Sequence, residues 1–314
     1  MQTYPVIAGP TATGKTALAI AVAQALHGEV VSADSMQVYG DVWIGTARPT
    51  AEEQQGIPHH LQGFLPLGES YSVARYVEDA YRAFAQLYAQ GKTPVLCGGT
   101  GLYVQSFMEN IQFFPQPSDP QLRQKLLQTG QEQGGAALLE ELRRVDPDTA
   151  ARLHEHDLHR IVRALEVYRV TGETITQQER RSHSVPPPYR GCLFVLQYRD
   201  RALLYRRIEQ RVDRMLEAGL MDEAYRVLQQ QPSATVLQAI GYKEFLPYFS
   251  GACTLAEAVD TLKQETRRYA KRQMSWFRRL AYAQPMWLED YANFEELRQD
   301  VLDRYRNFAA GGDR

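Results

Sequence analysis

The stretch that most constrains this chain lies at its start: Tyr4-Pro5-Val6-Ile7-Ala8, then Gly9-Pro10-Thr11-Ala12-Thr13-Gly14-Lys15-Thr16, then Ala17-Leu18-Ala19-Ile20-Ala21-Val22-Ala23. A short apolar strand, a G-x-x-x-x-G-K-T turn and a run of good helix formers stand in the order of a P-loop. Such a turn takes phosphate because its glycines let backbone N–H groups point inward, while the helix behind it presents its positive end. In that geometry Lys15 reaches the terminal phosphates and the Thr16 hydroxyl holds a magnesium ion. The expected fold is α/β, with a P-loop NTPase-like parallel sheet core flanked by helices. What the phosphate belongs to stays open at this point.

At 314 residues the chain is long enough for a large core and for more than one domain. Its net charge of -2 does not announce a nucleic-acid binder, so any such role must rest on local clusters. Cys97, Cys192 and Cys253 lie far apart with no C-x-x-C spacing, which suits a reducing compartment and argues against a disulfide framework or a zinc ribbon. No charged n-region or cleavable apolar segment precedes the first strand, and no stretch approaches the roughly 20 apolar residues of a membrane span. A soluble cytoplasmic protein without a membrane partner is the expectation.

A second strand is expected over Glu29-Val30-Val31-Ser32-Ala33, ending at Asp34-Ser35-Met36-Gln37-Val38-Tyr39. Ligands of open α/β sheets sit at the carboxyl ends of the strands, so Asp34 falls at the same edge as the P-loop. It can also cap a short helix, and the two jobs are compatible. Residues 40–70 read as irregular. The adjacent His59 and His60 diverge in direction and have no third ligand nearby, which favours loop packing or hydrogen bonding over a metal. Val73, Tyr76, Val77, Ala80, Tyr81, Phe84, Leu87 and Tyr88 follow helical spacing and form a core stripe, closed by Gly91. A third strand, Thr93-Pro94-Val95-Leu96-Cys97, runs into Gly98-Gly99-Thr100-Gly101, a turn nearly stripped of side chains where a ligand or another backbone can approach.

The character then changes. Residues 118–185 carry helical patterns only, and Pro186-Pro187-Pro188 closes them, so an all-helical subdomain is inserted. We set its bounds at 117–186, with 1–116 and 187–314 forming the core. On charge alone its helix at 157–171, with His159, Arg160 and Arg163, reads as a solvated face. A returning strand is expected at 191–198, followed by helices at 201–218, 220–230 and 254–282. The last contains Arg267-Arg268-Tyr269-Ala270-Lys271-Arg272-Gln273-Met274-Ser275-Trp276-Phe277-Arg278-Arg279, a mixture of arginine and aromatic residues that suits a phosphate backbone and unstacked bases.

Taken together, the P-loop, Asp34-Ser35-Met36-Gln37-Val38-Tyr39, Ile44-Gly45-Thr46-Ala47, Pro58-His59-His60-Leu61 and Gly98-Gly99-Thr100-Gly101-Leu102-Tyr103 form one ordered series. It continues through Arg160-Ile161-Val162-Arg163-Ala164-Leu165-Glu166-Val167-Tyr168, Gly241-Tyr242-Lys243 and Lys271-Arg272-Gln273-Met274-Ser275-Trp276-Phe277-Arg278. From about residue 6 to about residue 288 the chain resembles the tRNA dimethylallyltransferases, in their short bacterial form without a C-terminal zinc finger. Thr13 stands where many members have serine, and it is still a hydroxyl.

The resemblance implies transfer of a dimethylallyl group from dimethylallyl diphosphate to N6 of the adenosine just 3′ of the anticodon in tRNA. The P-loop, Gly9 to Thr16, would then grip a leaving diphosphate, with Mg²⁺ on Thr16. Arg211 would join Lys15 against the developing charge, and the Thr11 hydroxyl would contact the bridging oxygen. Asp34 would orient the adenine amine and take its proton. Ser35, Met36, Gln37 and Thr100 would line the channel for the flipped base. Arg123, His159, Arg160, Ile161, Val162 and Arg163 of the insertion would meet the anticodon stem-loop. So would Gln238, Ala239, Ile240, Gly241, Tyr242 and Lys243, and Lys271 to Arg278, of the core. This reverses the reading of the 157–171 helix from charge alone. A monomer is expected, one enzyme to one stem-loop. The competing reading is a P-loop nucleotide or small-molecule kinase, which accounts for the loop and Asp34 but not for the 98–101 turn or the 267–279 helix.

Overall fold

The structure, a computed structural model, describes residues 1–114 and 119–311. These divide into two compact units, Met1–Met108 with Pro187–Arg314, and Glu109–Pro186. The boundary expected at 116/117 and the tail beyond residue 311 lie outside the described residues.

The first unit opens with β1 (Thr3–Ala8), α1 (Lys15–Ala25), β2 (Gly28–Ser32), β3 (His59–His60), α2 (Val73–Ala89), β4 (Thr93–Gly98) and α3 (Gly101–Met108). The second unit holds α4 (Pro120–Gln133), α5 (Gly135–Val145), α6 (Pro147–Ala150), α7 (Leu158–Thr171) and α8 (Ile175–Ser182). The chain then returns to the first with β5 (Arg190–Gln197), α9 (Arg201–Glu217), α10 (Leu220–Gln229), α11 (Ala234–Leu237), α12 (Leu246–Phe249), α13 (Leu255–Phe277), β6 (Gln284–Trp287) and α14 (Phe294–Ala309).

Six parallel strands in the order β3-β2-β4-β1-β5-β6 make the sheet. Val6 on β1 lies opposite Leu96 on β4 and Leu193 on β5. Strand alternation sends Val6 and Ala8 into one hydrophobic cluster and Ile7 into another, so both faces of β1 are covered. A strand buried on both faces has to be apolar throughout, which is why Val6-Ile7-Ala8 shows no polar alternation. Helix α2 starts at Ser72, whose side chain accepts from the Arg75 N–H at 3.2 Å, and its Tyr76, Ala80, Phe84 and Leu87 are buried as the stripe foretold.

Three features depart from expectation. Residues 40–70 contain the short edge strand β3, where His59 and His60 pair with Val30 and Val31. The long arginine-rich helix ends at Phe277 rather than 282, and the chain goes on into β6. The final helix α14 had no counterpart in the sequence reading. Its Leu297, Val301 and Leu302 join the cluster of α1 and the sheet. Two-residue and four-residue strands are too short for a period to register, so only their partners define them.

The second unit has its own core, with α4, α5 and α7 packed around Leu126, Leu138, Leu142, Ile161 and Leu165. Asp119 caps α4, Asp146 caps α6, and Thr174 with Gln177 forms a capping box on α8.

Candidate active site

The turn after β1 has the backbone its glycines were needed for. A side chain at Gly9 (φ 136) would sit 2.3 Å from the Leu196 carbonyl oxygen, and Gly14 (φ 85) precedes α1 in the left-handed region. Ala12 also holds a positive φ of 66, a strained setting for a residue with a Cβ. The Lys15 ammonium and the Thr13 hydroxyl both donate to the Pro10 carbonyl, at 2.7 and 2.9 Å. Arg207 on α9 donates to the Ala12 carbonyl at 2.9 Å, which ties that helix to the loop.

Asp34 stands two residues beyond the carboxyl end of β2. Its Oδ1 accepts from the N–H groups of Met36 (2.9 Å) and Gln37 (3.3 Å), so it caps the short turn that follows. The Ser35 N–H donates to the Thr100 hydroxyl at 3.0 Å, joining this turn to the glycine turn after β4. The Gln37 amide is held internally as well. Its Oε1 accepts from Ser32 (3.2 Å) and Gln62 (2.9 Å), and its Nε2 donates to the Thr46 carbonyl at 3.2 Å.

A cavity of about 380 Å³ opens at this strand edge. Thr11, Lys15, Thr16 and Arg211 line one part of it; Asp34, Ser35, Met36 and Gln37 line another; Gln238 to Gly241, Lys243, Arg272 and Gln273 line a third. Val212, Met215, Leu220 and Leu262 supply an apolar wall. A second depression of about 1160 Å³ shares Lys15, Thr16, Ala47, Arg211 and Met215 with the first, and adds Arg48, Arg207 and Arg214.

Burial in the protein pushes the Lys15 ammonium down to about 8, with the Arg211 charge lowering it further and Cys97 and Asp34 opposing. Arg211 is lowered for the same first reason, burial, while Asp34 and Glu53 pull it back up. Burial disfavours the charged form of both cations despite the nearby Asp34 and Glu53, a penalty that a bound polyanion relieves. Cys97 on the same wall is a buried thiol pushed up to about 12, chiefly by burial, so it stays neutral.

Other expected residues have different places. Tyr242 and Phe277 are buried in the core. Lys271, Ser275 and Arg278 are exposed on α13 and just past it. In the second unit, Ile161 and Val162 are buried, while Arg123, His159 and Arg163 surround a cavity of about 350 Å³ with Leu127 and Val162. Arg160 is exposed on α7. Fully buried Glu166 organises that group, accepting from Arg123 Nε and Nη2 at 3.0 Å each, from Arg163 at 3.1 Å and from the Asp119 N–H at 3.1 Å. His59 Nδ1 lies 2.9 Å from the Ile57 carbonyl and His60 Nε2 lies 2.6 Å from Glu29, so both histidines hydrogen-bond within the loop and sheet edge.

Sequence reasoning passed over Glu223. This carboxylate, 3% exposed, accepts from the N–H groups of Trp43 (3.0 Å), Ile44 (2.9 Å) and Gly45 (2.8 Å) and from the Tyr242 hydroxyl (2.9 Å). It thereby fixes the loop whose Gly45, Thr46 and Ala47 wall the cavity. One signal was available: residue 223 falls on the same helical stripe as Leu220, Ala224 and Val227, where a charge needs partners. Tyr269, also on the cavity wall, was read only as an aromatic among arginines.

The family model described as IPP transferase matches residues 37–280, and the one described as Isopentenyl transferase matches residues 1–61. A tRNA dimethylallyltransferase of Thermoanaerobacter pseudethanolicus is 40% identical over 299 residues, covering 94% of this chain and 95% of its own. The solved full-length tRNA isopentenylpyrophosphate transferase of Bacillus halodurans aligns with a TM-score of 0.71 at 38% identity, covering 99% of this chain and 96% of its own. A eukaryotic dimethylallyltransferase, seen in crystallographic snapshots acting on tRNA, aligns with a TM-score of 0.81 at 28% identity, covering 100% of this chain and 81% of its own. With its phosphate turn, strand-edge carboxylate and near full-length kinship of this kind, the chain belongs to the IPP transferase family.

Proposed function

We propose that this chain transfers the dimethylallyl group of dimethylallyl diphosphate to N6 of the adenosine immediately 3′ of the anticodon in tRNA. Membership of the family makes it a transferase of dimethylallyl groups to tRNA; the acceptor atom, the metal and the residue roles are our reading. One observation carries it: Lys15, Thr16 and Arg211 share a single cavity with Asp34, and Val212, Met215, Leu220 and Leu262 line the same cavity.

In this reading the C–O bond to the diphosphate breaks while the C–N bond to the adenine amine forms. Negative charge gathers on the departing diphosphate, where Lys15, Arg211 and loop N–H groups oppose it. The Thr11 hydroxyl serves the bridging oxygen. Asp34 accepts a hydrogen bond from the amine and then its proton, countering the delocalisation that makes the amine a weak nucleophile. Val212, Met215, Leu220 and Leu262 shelter the five-carbon group from water. The hydroxyl of Thr16 is a hard oxygen donor of the kind magnesium takes together with phosphate oxygens. When bound on Thr16, Mg²⁺ would neutralise diphosphate charge. Arg123, His159, Arg160 and Arg163 serve the stem-loop backbone. The working form is a cytoplasmic monomer. Among the described residues no helix is long and apolar enough to cross a membrane.

Incubation with labelled dimethylallyl diphosphate, Mg²⁺ and bulk tRNA, followed by digestion, should yield labelled N6-isopentenyladenosine. ATP with small acceptors should give no phosphoryl transfer. Asp34→Ala should lower turnover by about 100-fold or more while keeping tRNA affinity, the scale of a lost general base. Unchanged turnover in that variant would remove Asp34 from the mechanism.

A further inference from the structure

We propose that Gln273 is a positioning residue for the transfer, holding the peptide that orients Lys15 and Thr11 and tying it to the glycine turn after β4. The proposal rests on the function given above, in which that loop takes the diphosphate, and it assigns Gln273 to the loop rather than to RNA.

Gln273 is 5% exposed on α13, and its amide reaches two separate loops. Its Oε1 accepts from the Thr11 N–H at 2.9 Å, and its Nε2 donates to the Gly99 carbonyl at 2.8 Å. The bonds span 262 and 174 residues of sequence, so no local element makes them. Thr11 N–H and Pro10 C=O belong to one peptide unit, planar and trans, so their directions are locked opposite to each other. Holding the N–H toward Gln273 therefore aims the Pro10 oxygen at the Lys15 ammonium (2.7 Å) and the Thr13 hydroxyl (2.9 Å). One side-chain amide thus sets the lysine through a rigid plane.

The same contact explains a glycine that the phosphate argument left without a reason. A Cβ on Gly99 would lie 2.2 Å from Gln273 Nε2, so the turn is bare at that position to admit the amide. Its neighbour Gly98 has a different reason, since a Cβ there would meet the Ala33 carbonyl oxygen at 2.1 Å. The residue before Gln273 on α13, Arg272, is exposed and also lines the cavity. The helix that presents arginine to the cavity therefore also grips the phosphate loop.

The test measures three quantities on the full-length protein: turnover at saturating tRNA, binding of inorganic diphosphate with Mg²⁺ by calorimetry, and tRNA affinity. Gln273→Met keeps the volume and loses both loop hydrogen bonds, together with the side-chain hydrogen bond to Tyr269. It should lower turnover and diphosphate affinity by about tenfold each, the scale of one buried group left without its partner, with tRNA affinity within about twofold. Gly99→Ala displaces the amide from the other side and should give the same pattern; if the methionine variant fails to fold, it carries the test alone. In the double variant the second change should add little, because both remove one interaction. Loss of tRNA affinity with diphosphate binding intact would make Gln273 an RNA contact and overturn the proposal. So would full additivity, or unchanged diphosphate binding in both single variants. A wild-type protein that binds diphosphate but transfers nothing to tRNA would instead sink the proposed function, while the diphosphate measurements still decide the role of Gln273.

Discussion

Lys15 combines two properties that pull against each other: it is the lysine of the proposed diphosphate loop, and burial has pushed it down to about 8. A base whose folded value lies below its ordinary 10.5 is penalised in its charged form, so this residue opposes folding below about pH 8 and ceases to do so as pH rises from there toward 10.5. A bound polyanion reverses the preference by favouring the ammonium. Diphosphate affinity should therefore hold steady below about pH 8 and fall above it, by up to about tenfold per pH unit. Lys15→Met should bind more weakly throughout and lose that inflection, which titration calorimetry across pH 6.5 to about 9.5 would record. The P-loop and Asp34 were legible residue by residue because a spacing or a strand end marks them. Glu223 was not, and Gln273 entered only as part of the run implied to meet RNA, since a polar residue on a core stripe says that it needs partners without saying which. Their partners lie about 180 and 262 residues away in sequence.

Among elements, the loop from Trp43 to Ala47 shows most clearly how geometry is imposed from outside. Three consecutive N–H groups turned to one side form a ready nest for an anion, and Glu223 fills it with a carboxylate from α10. Tyr242 adds its hydroxyl, and its ring lies where a Cβ on Gly45 would be, 2.7 Å from the phenol oxygen. Glu223→Ala leaves four donors without this acceptor, three part-buried N–H groups and the buried Tyr242 hydroxyl. It should destabilise the protein by about 3 kcal/mol or more in denaturant unfolding, with a smaller loss for Glu223→Gln, which keeps one acceptor oxygen. The sheet was readable where strands are long and apolar, as in β1, β2, β4 and β5. The edge strands β3 and β6 escaped because pairing with a neighbour, rather than any local pattern, makes them strands.

Across the whole molecule, acid should be the weak direction. Burial raises Glu29 and Glu166, but hydrogen bonds from Lys92 and His60 to the first, and from Arg123 and Arg163 to the second, bring both below the usual 4.5. Asp146 follows the same course, with burial outweighed by hydrogen bonds from Thr176 and Thr149. Carboxylates lowered in the folded state contribute stability that is present above their ordinary values and lost as pH falls through the folded ones. Thermal unfolding should therefore shift to lower temperature below about pH 4.5, and Glu166→Gln should flatten that slope by removing one of the groups responsible. In the sheet β1 has β4 on one side, while its other neighbour, β5, follows the entire second unit in sequence. Tyr305 of α14 then closes over the Thr3 carbonyl at 2.9 Å, and Arg190 reaches the Phe308 carbonyl at 2.6 Å. On the ribosome the helices of the second unit have every partner of their own core within reach as soon as they emerge. The sheet that carries the proposed active site gains its last pairing, β6 on β5, only at Gln284–Trp287, long after that smaller core can close.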